Sequence, residues 1–112
     1  KDLIEYSLTL PYGIGQISGL EVQYNSSKPA MQRLVSLKIN GKNIVDSNKY
    51  TVSTSGYLAK GGDGYRVFTE GKLINEEQSF PDALYRGFKA MEEIILPSIG
   101  RQIDLSGDLS VN

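Results

Sequence analysis

The sequence predicts an α+β fold built on a mixed or antiparallel sheet, and three observations carry the prediction. A turn dipeptide separates two β-rich runs in "RLVSLKINGKNIV", and a helical pattern of apolar residues extends from Phe80 to Leu96. The strand-like segments also come before that helix instead of alternating with helices, an order that disfavours a parallel βαβ arrangement.

Each element has its own signal. Residues 1–9, "KDLIEYSLT", set Leu3, Ile4 and Leu8 on one helical face, and Pro11 ends the run. This reads as the last turns of a helix that begins before Lys1, so residues 1–112 are expected to form a single, partial domain truncated at its N-terminus. "GIGQISG" (13–19) superficially matches a dinucleotide fingerprint, but its third glycine is misplaced and a strand pattern follows where a helix is needed. A glycine-rich connector is the expectation. In "ISGLEVQYN", Leu20, Val22 and Tyr24 alternate with Glu21 and Gln23, as in a half-buried strand.

A hairpin is predicted at 34–45. Leu34 or Val35 through Ile39 forms one arm, Asn40-Gly41 supplies the positive φ angles of a type I′ turn, and Ile44-Val45 returns. "KYTVSTS" (49–55), rich in β-branched residues, predicts a further strand. The long helix is expected at about 80–96, with Ala83, Leu84, Phe88, Met91 and Ile95 on its apolar face. Ser79 is its expected N-cap, Pro81 and Asp82 lie in its first turn, and Pro97 is its stop. "GRQIDLSG" (100–107) suits a short closing strand.

Composition excludes several function classes. A chain of 112 residues buries roughly 65% of its unfolded surface, enough for one core. Its 12 basic and 13 acidic residues give a net charge of −1, so neither nucleic acid nor an anionic membrane is expected as a partner. No apolar run is long enough to suggest a membrane segment. The absence of Cys removes disulfides and thiolate chemistry, and the absence of His removes the usual general base and the commonest metal ligand. A zinc hydrolase or a Ser-His-Asp enzyme cannot be assembled from these residues alone, and no cofactor is expected in this chain. Glu76-Glu77 and Glu92-Glu93 read as solvated faces, and Asn25-Ser26-Ser27 is an N-glycosylation triplet of a kind that often arises by chance.

The segment that asks for an explanation is "SGYLAKGGDGYRVF" (55–68). Glycine loses the most backbone entropy on folding, and this loop uses Gly61, Gly62 and Gly64 around a single carboxylate, Asp63. One reading is structural: the glycines turn a corner and Asp63 folds back on nearby amides. The other is functional. The Tyr57 ring offers a face for a planar base, Asp63 offers acceptors for vicinal hydroxyls, and Gly61 and Gly62 let a ligand approach the backbone. A calcium turn fits poorly, since one carboxylate is far from the about six to eight oxygens that calcium takes.

"YTVSTSGYLAKGGDGYRVF" resembles the signature segment of the C-terminal domain of the 5′-nucleotidases, whose pattern is roughly Tyr-x-Val-x-Thr-Asn-(Phe/Tyr)-Leu-Ala-x-Gly-Gly-Asp-Gly-(Phe/Tyr). The upstream "ISGLEVQYNSSKPAMQRLVSLKINGKNI" and the downstream "PSIGRQI" resemble the same domain, so the likeness runs from Leu3 to Ile103. It implies that the chain is the second half of a substrate-binding domain. An N-terminal metallophosphoesterase domain holding two divalent metal ions would perform hydrolysis. Tyr57 would be one of two rings that stack the base of a nucleotide or nucleoside, and Asp63 would hold the ribose hydroxyls. The other ring, and the Asn and Arg residues that contact the nucleotide, would precede Lys1. A periplasmic, cell-surface or secreted location is implied as well.

Two departures from the family pattern matter. Tyr57 stands where Phe is commonest, and Gly56 stands where Asn is usual, which leaves base preference open among mononucleotides, nucleotide-sugars, cyclic nucleotides and non-nucleotide substrates. A non-catalytic module that keeps the fold is the alternative. Truncation of the domain also leads to an expectation of self-association through an uncovered apolar face or sheet edge.

Overall fold

The structure, a computed structural model, describes residues 1–76 and 79–107. Its chain forms two units, Lys1–Thr51 with the segment from Ser98 onward, and Val52–Pro97.

The first unit holds helix α1 (Asp2–Ser7) and strands β1 (Leu20–Tyr24), β2 (Leu34–Ile39), β3 (Lys42–Asn43) and β4 (Gln102–Asp104). The strands form one mixed sheet in the order β3-β2-β1-β4: β1 pairs antiparallel with β2 and parallel with β4, and β2 pairs antiparallel with β3. The alternation read from the sequence decides the buried face. Val22 is 1% exposed and lies opposite Leu37, while Glu21 and Gln23 face outward. Ile4 and Leu8 complete the buried cluster, with Ile14, Ile17, Leu20, Tyr24, Leu34 and Ile44 packed around it. Fully burying a side chain of this size stabilises the fold by about 1.5–3 kcal/mol, so these four residues carry much of the unit's stability.

The predicted hairpin is present, with Asn40 at φ 51° and Gly41 at φ 74°, the paired positive angles that a type I′ turn requires. Its return arm is shorter than the sequence predicts. The strand ends at Asn43, although the Ile44 N–H still donates to the Leu37 carbonyl at 3.0 Å. At the other end of β2 the register shifts, because Gln23 pairs with Ser36 but Tyr24 pairs with Leu34. Val35 is the additional residue of this β-bulge.

A carboxylate from α1 holds the bulged end. Glu5 is buried, and its Oε2 and Oε1 accept the backbone N–H groups of Arg33 and Leu34 at 3.1 and 3.0 Å. The Arg33 guanidinium donates in turn to the carbonyls of Leu8 (2.6 Å) and Lys28 (2.9 Å). The predicted closing strand is also present. Val22 N–H donates to the Arg101 carbonyl and Leu105 N–H to the Tyr24 carbonyl, seating β4 beside β1. The Arg101 and Gln102 side chains donate to the carbonyls of Ile17 and Gly15, so the connector at 13–19 is held by the returning chain.

The second unit contains helix α2 (Gly56–Ala59), two 3-10 turns (Gly62–Gly64 and Arg66–Glu70) and helix α3 (Phe80–Ala90). Two expectations need correction. Residues 49–55 form no strand. The side chain of Ser55 accepts the Leu58 N–H and starts a helix instead, and the β-branched run before it has no ladder partner among the described residues. The late helix ends at Ala90, not at Leu96, because Met91 already adopts an extended conformation. Every residue of α3 is exposed, so no packing drives the helix onward into the β-branched Ile94-Ile95. Its start is as predicted, with the Ser79 hydroxyl accepting the Asp82 N–H. Glu76, Glu92 and Glu93 are exposed, whereas Glu77 lies outside the described residues.

Two measurements check this account. Glu5→Ala leaves two backbone donors without their charged acceptor and is expected to lower unfolding free energy by about 2–3 kcal/mol in urea titrations, with Glu5→Gln losing less. The second concerns Asp104, whose Oδ1 accepts the N–H groups of Ser26 and Ser106 at 3.0 Å. Hydrogen bonding from Ser26 first, and also from Ser106, holds this carboxyl below its ordinary value of 3.8. The lowered folded-state value means that its stabilising contribution is complete above the unfolded value and is lost as pH falls through the folded one. The urea midpoint is therefore expected to fall on acidification below about pH 4, and less steeply in Asp104→Asn.

Candidate functional site

The loop is built outward from the Ser55 cap. Ser55 is extended (φ −69°, ψ 153°), α2 makes one turn, and the Gly61 N–H closes it on the Leu58 carbonyl at 2.9 Å. Gly61 then takes φ 89°, in the left-handed region, and Asp63 (φ 52°, ψ 24°) and Gly64 (φ 81°) follow there. Such a conformation costs a residue with a Cβ about 1–2 kcal/mol, and aspartate is among the few that adopt it routinely. The Tyr65 N–H donates back to the Gly62 carbonyl, and the buried Tyr65 ring sits 6.0 Å from that of Phe68. An aromatic pair thus anchors the end of the loop.

The structure brings Tyr57, Gly61, Gly62 and Asp63 together. Tyr57 lies on α2, not just beyond a strand at 49–55, and the residue is 64% exposed. The ring rests on the backbone of Gly62 so closely that a Cβ there would come within 2.6 Å of ring carbons. The Tyr57 hydroxyl donates to Asp63 Oδ1 at 3.0 Å and accepts the Asp63 N–H at 3.3 Å. Gly61 plays a different part: its backbone makes the left-handed turn, and a Cβ would only touch the Thr69 methyl group at 3.4 Å. The two readings of the loop are therefore compatible, because the same glycines that turn the corner place an exposed ring beside a carboxylate.

Two features escaped the sequence reading. Ser55 carried a recognisable N-cap signal that the β-branched run obscured. Glu76 gave no local signal at all, yet its Oε1 lies 3.9 Å from where a Cβ of residue 56 would stand. That separation is an ordinary contact, so the backbone at Gly56 accommodates a side chain. Among the described residues there is no group of three or more carboxylates placed to hold a metal ion, and no helix long and apolar enough to cross a membrane.

Gly62→Ala tests the arrangement directly. The added methyl group is expected to push the Tyr57 ring off the loop and break its hydrogen bond to Asp63. In wild-type protein the Gly62 α-protons are expected to carry a ring-current shift that the variant lacks, read by NMR.

Comparison with known proteins places the chain in a family. Residues 2–70, which include the sheet strands β1 to β3 and the whole Tyr57–Asp63 loop, match the family described as 5′-nucleotidase, C-terminal domain. A 5′-nucleotidase of Diplobatis ommata is 23% identical over 96 residues, covering 79% of this chain and 17% of that protein. A 5′-nucleotidase-related protein of Glossina morsitans morsitans is 30% identical over 95 residues, covering 77% and 17%. An NAD 5′-nucleotidase of Haemophilus influenzae is 33% identical over 89 residues, covering 68% and 14%. The chain therefore spans less than a fifth of the length of each of these relatives. With the match extending over more than half of its residues, the chain belongs to the 5′-nucleotidase C-terminal domain family.

Proposed function

We propose that this chain is the nucleotide- or nucleoside-binding part of a 5′-nucleotidase-type phosphoesterase. The observation that carries the proposal is the exposed Tyr57 ring held beside the Asp63 carboxylate on a glycine-built loop. A ring face stacks a base, and an ionised carboxylate, which only accepts hydrogen bonds, suits the two hydroxyls of a ribose. Gly61 and Gly62 keep the backbone beside them low. Holding base and sugar fixes the position of the phosphate, a contribution to rate made by orientation alone. Hydrolysis itself belongs to an N-terminal metallophosphoesterase domain with two divalent ions, a partner drawn from the family resemblance. A periplasmic, cell-surface or secreted location comes from the same source.

A second reading draws on the same loop. Because the Asp63 carboxylate is already engaged by the Tyr57 hydroxyl, the loop could serve a binding or structural module with no nucleotide role, or a relative acting on a non-nucleotide substrate. Titration of full-length protein with adenosine and AMP separates the readings. Saturable binding is expected, with amide shifts confined to residues 57 and 61–64 in the NMR spectrum of the labelled protein. Tyr57→Ala is expected to weaken it roughly five- to hundredfold, the range that a stacked base contributes. Asp63→Asn is expected to weaken adenosine but not free adenine. No saturable binding by the folded protein, or equal binding by both variants, would sink the nucleoside reading. The 112-residue chain alone, supplied with divalent metal, is expected to release no phosphate from AMP above background.

A further inference from the structure

We propose that the open cleft beside the Asn40-Gly41 turn is a binding site for a small zwitterion of the α-amino acid class, held between Arg101 and Glu21.

The cleft has a volume of about 310 Å³ and lies wholly within the sheet unit. Its walls come from three places: Gly19 and Glu21 at the entry to β1, Asn40 and Gly41 in the turn after β2, and Ser98 and Arg101 ahead of β4. The ladder explains why these meet. Leu20 is paired with Ile39, which sets the start of β1 at the turn, and the Val22 N–H donates to the Arg101 carbonyl at 2.7 Å. Gly19 (φ 75°) and Gly41 (φ 74°) leave the backbone uncovered, since a Cβ on either would meet nothing within 4 Å.

The charges carry the inference. The Arg101 guanidinium is fixed by donating one N–H to the Ile17 carbonyl at 2.8 Å, and its remaining N–H groups have no partner among the described residues. Glu21 is exposed, and its carboxylate also has no partner among the described residues, although Lys38 stands opposite it in the ladder. A cation and an anion therefore line one cleft without pairing with each other. An anionic ligand would meet like charge in Glu21, and a cationic one would meet it in Arg101. A neutral ligand would displace water from both charges and leave them uncompensated. A zwitterion answers both: its carboxylate matches the planar fork of the guanidinium, and its ammonium donates to the Glu21 carboxylate. The Asn40 amide and the Ser98 hydroxyl line the same cleft and add neutral donors and acceptors. Ligand sites span about 300–1,000 Å³, and a cleft at the small end of that range suits an amino acid better than a nucleotide.

The test is an NMR titration of labelled full-length protein with L-alanine, L-glutamine and L-phenylalanine. Propionate and ethylamine, which each keep only one of alanine's two charges, are the controls. Saturable amide shifts at residues 19–21, 40–41 and 98–101 are expected with the amino acids, and binding about tenfold weaker or more with either control. Glu21→Gln, at an exposed position outside the core, is expected to weaken alanine about tenfold. Glu21→Lys is expected to reverse the preference, so that propionate binds more tightly than alanine. Propionate that binds wild type as tightly as alanine does, or alanine binding unchanged in Glu21→Gln, overturns the zwitterion assignment. Folded protein that gives no saturable shifts at the cleft with any of the three amino acids overturns the site itself. Neither result touches the nucleotide reading, whose residues belong to the other unit.

Discussion

The sheet unit depends on where one carboxylate finds its hydrogen bonds. The register shift between β1 and β2 interrupts the ladder near Leu34, where backbone donors need other acceptors. Glu5 supplies two of them, to Arg33 and Leu34, from the middle of α1. Because Ile4 neighbours Glu5 in sequence, docking the carboxylate also sets the height at which Ile4 and Leu8 meet Val22 and Leu37. Arg33 answers by donating to the Leu8 carbonyl at the end of α1, so the contact is fastened from both sides. A bulge that would weaken a bare two-stranded ribbon becomes the point at which the helix is attached.

How much of this the sequence disclosed follows from the range of each interaction. Alternation in β1, the Asn40-Gly41 turn and the Ser79 cap are decided by neighbours within a few residues, and all three are present as read. The strand expected at 49–55 rested on β-branched composition, which reports suitability for a sheet and not the presence of a neighbouring strand. The helix expected to reach Leu96 rested on apolar periodicity, which describes a face that packing must cover before it stabilises anything. Leu84 and Phe88 of α3 are 43% and 50% exposed, and the helix ends one residue before Met91. Glu5 was invisible for a different reason. A helical reading assigns a glutamate between Ile4 and Leu8 to solvent, and only the Arg33 and Leu34 N–H groups beside the bulge at Val35 make it a buried acceptor.

For the residues singled out in the loop, the sequence offered the residue types but not their arrangement. Tyr57 and Asp63 were picked out by residue type and by the family pattern, whereas the contact of the ring with Gly62 and the paired hydrogen bonds needed coordinates. These features also explain the unusual composition of the loop. Gly61 and Gly64 answer to backbone angle, Gly62 answers to the space a ring occupies, and Asp63 is the one side chain of the four, carried in a conformation aspartate tolerates.

The ring, the glycine it covers and both hydrogen bonds lie within residues 57–63, a span shorter than two turns of helix. Geometry fixed at such short range does not depend on the long-range pairing that seats β4 or fastens α1. The entropy given up to order the glycines accordingly secures one distance, between a stacking face and a carboxylate. On the proposed nucleoside reading, that distance is what spaces the base from the hydroxyls of its sugar.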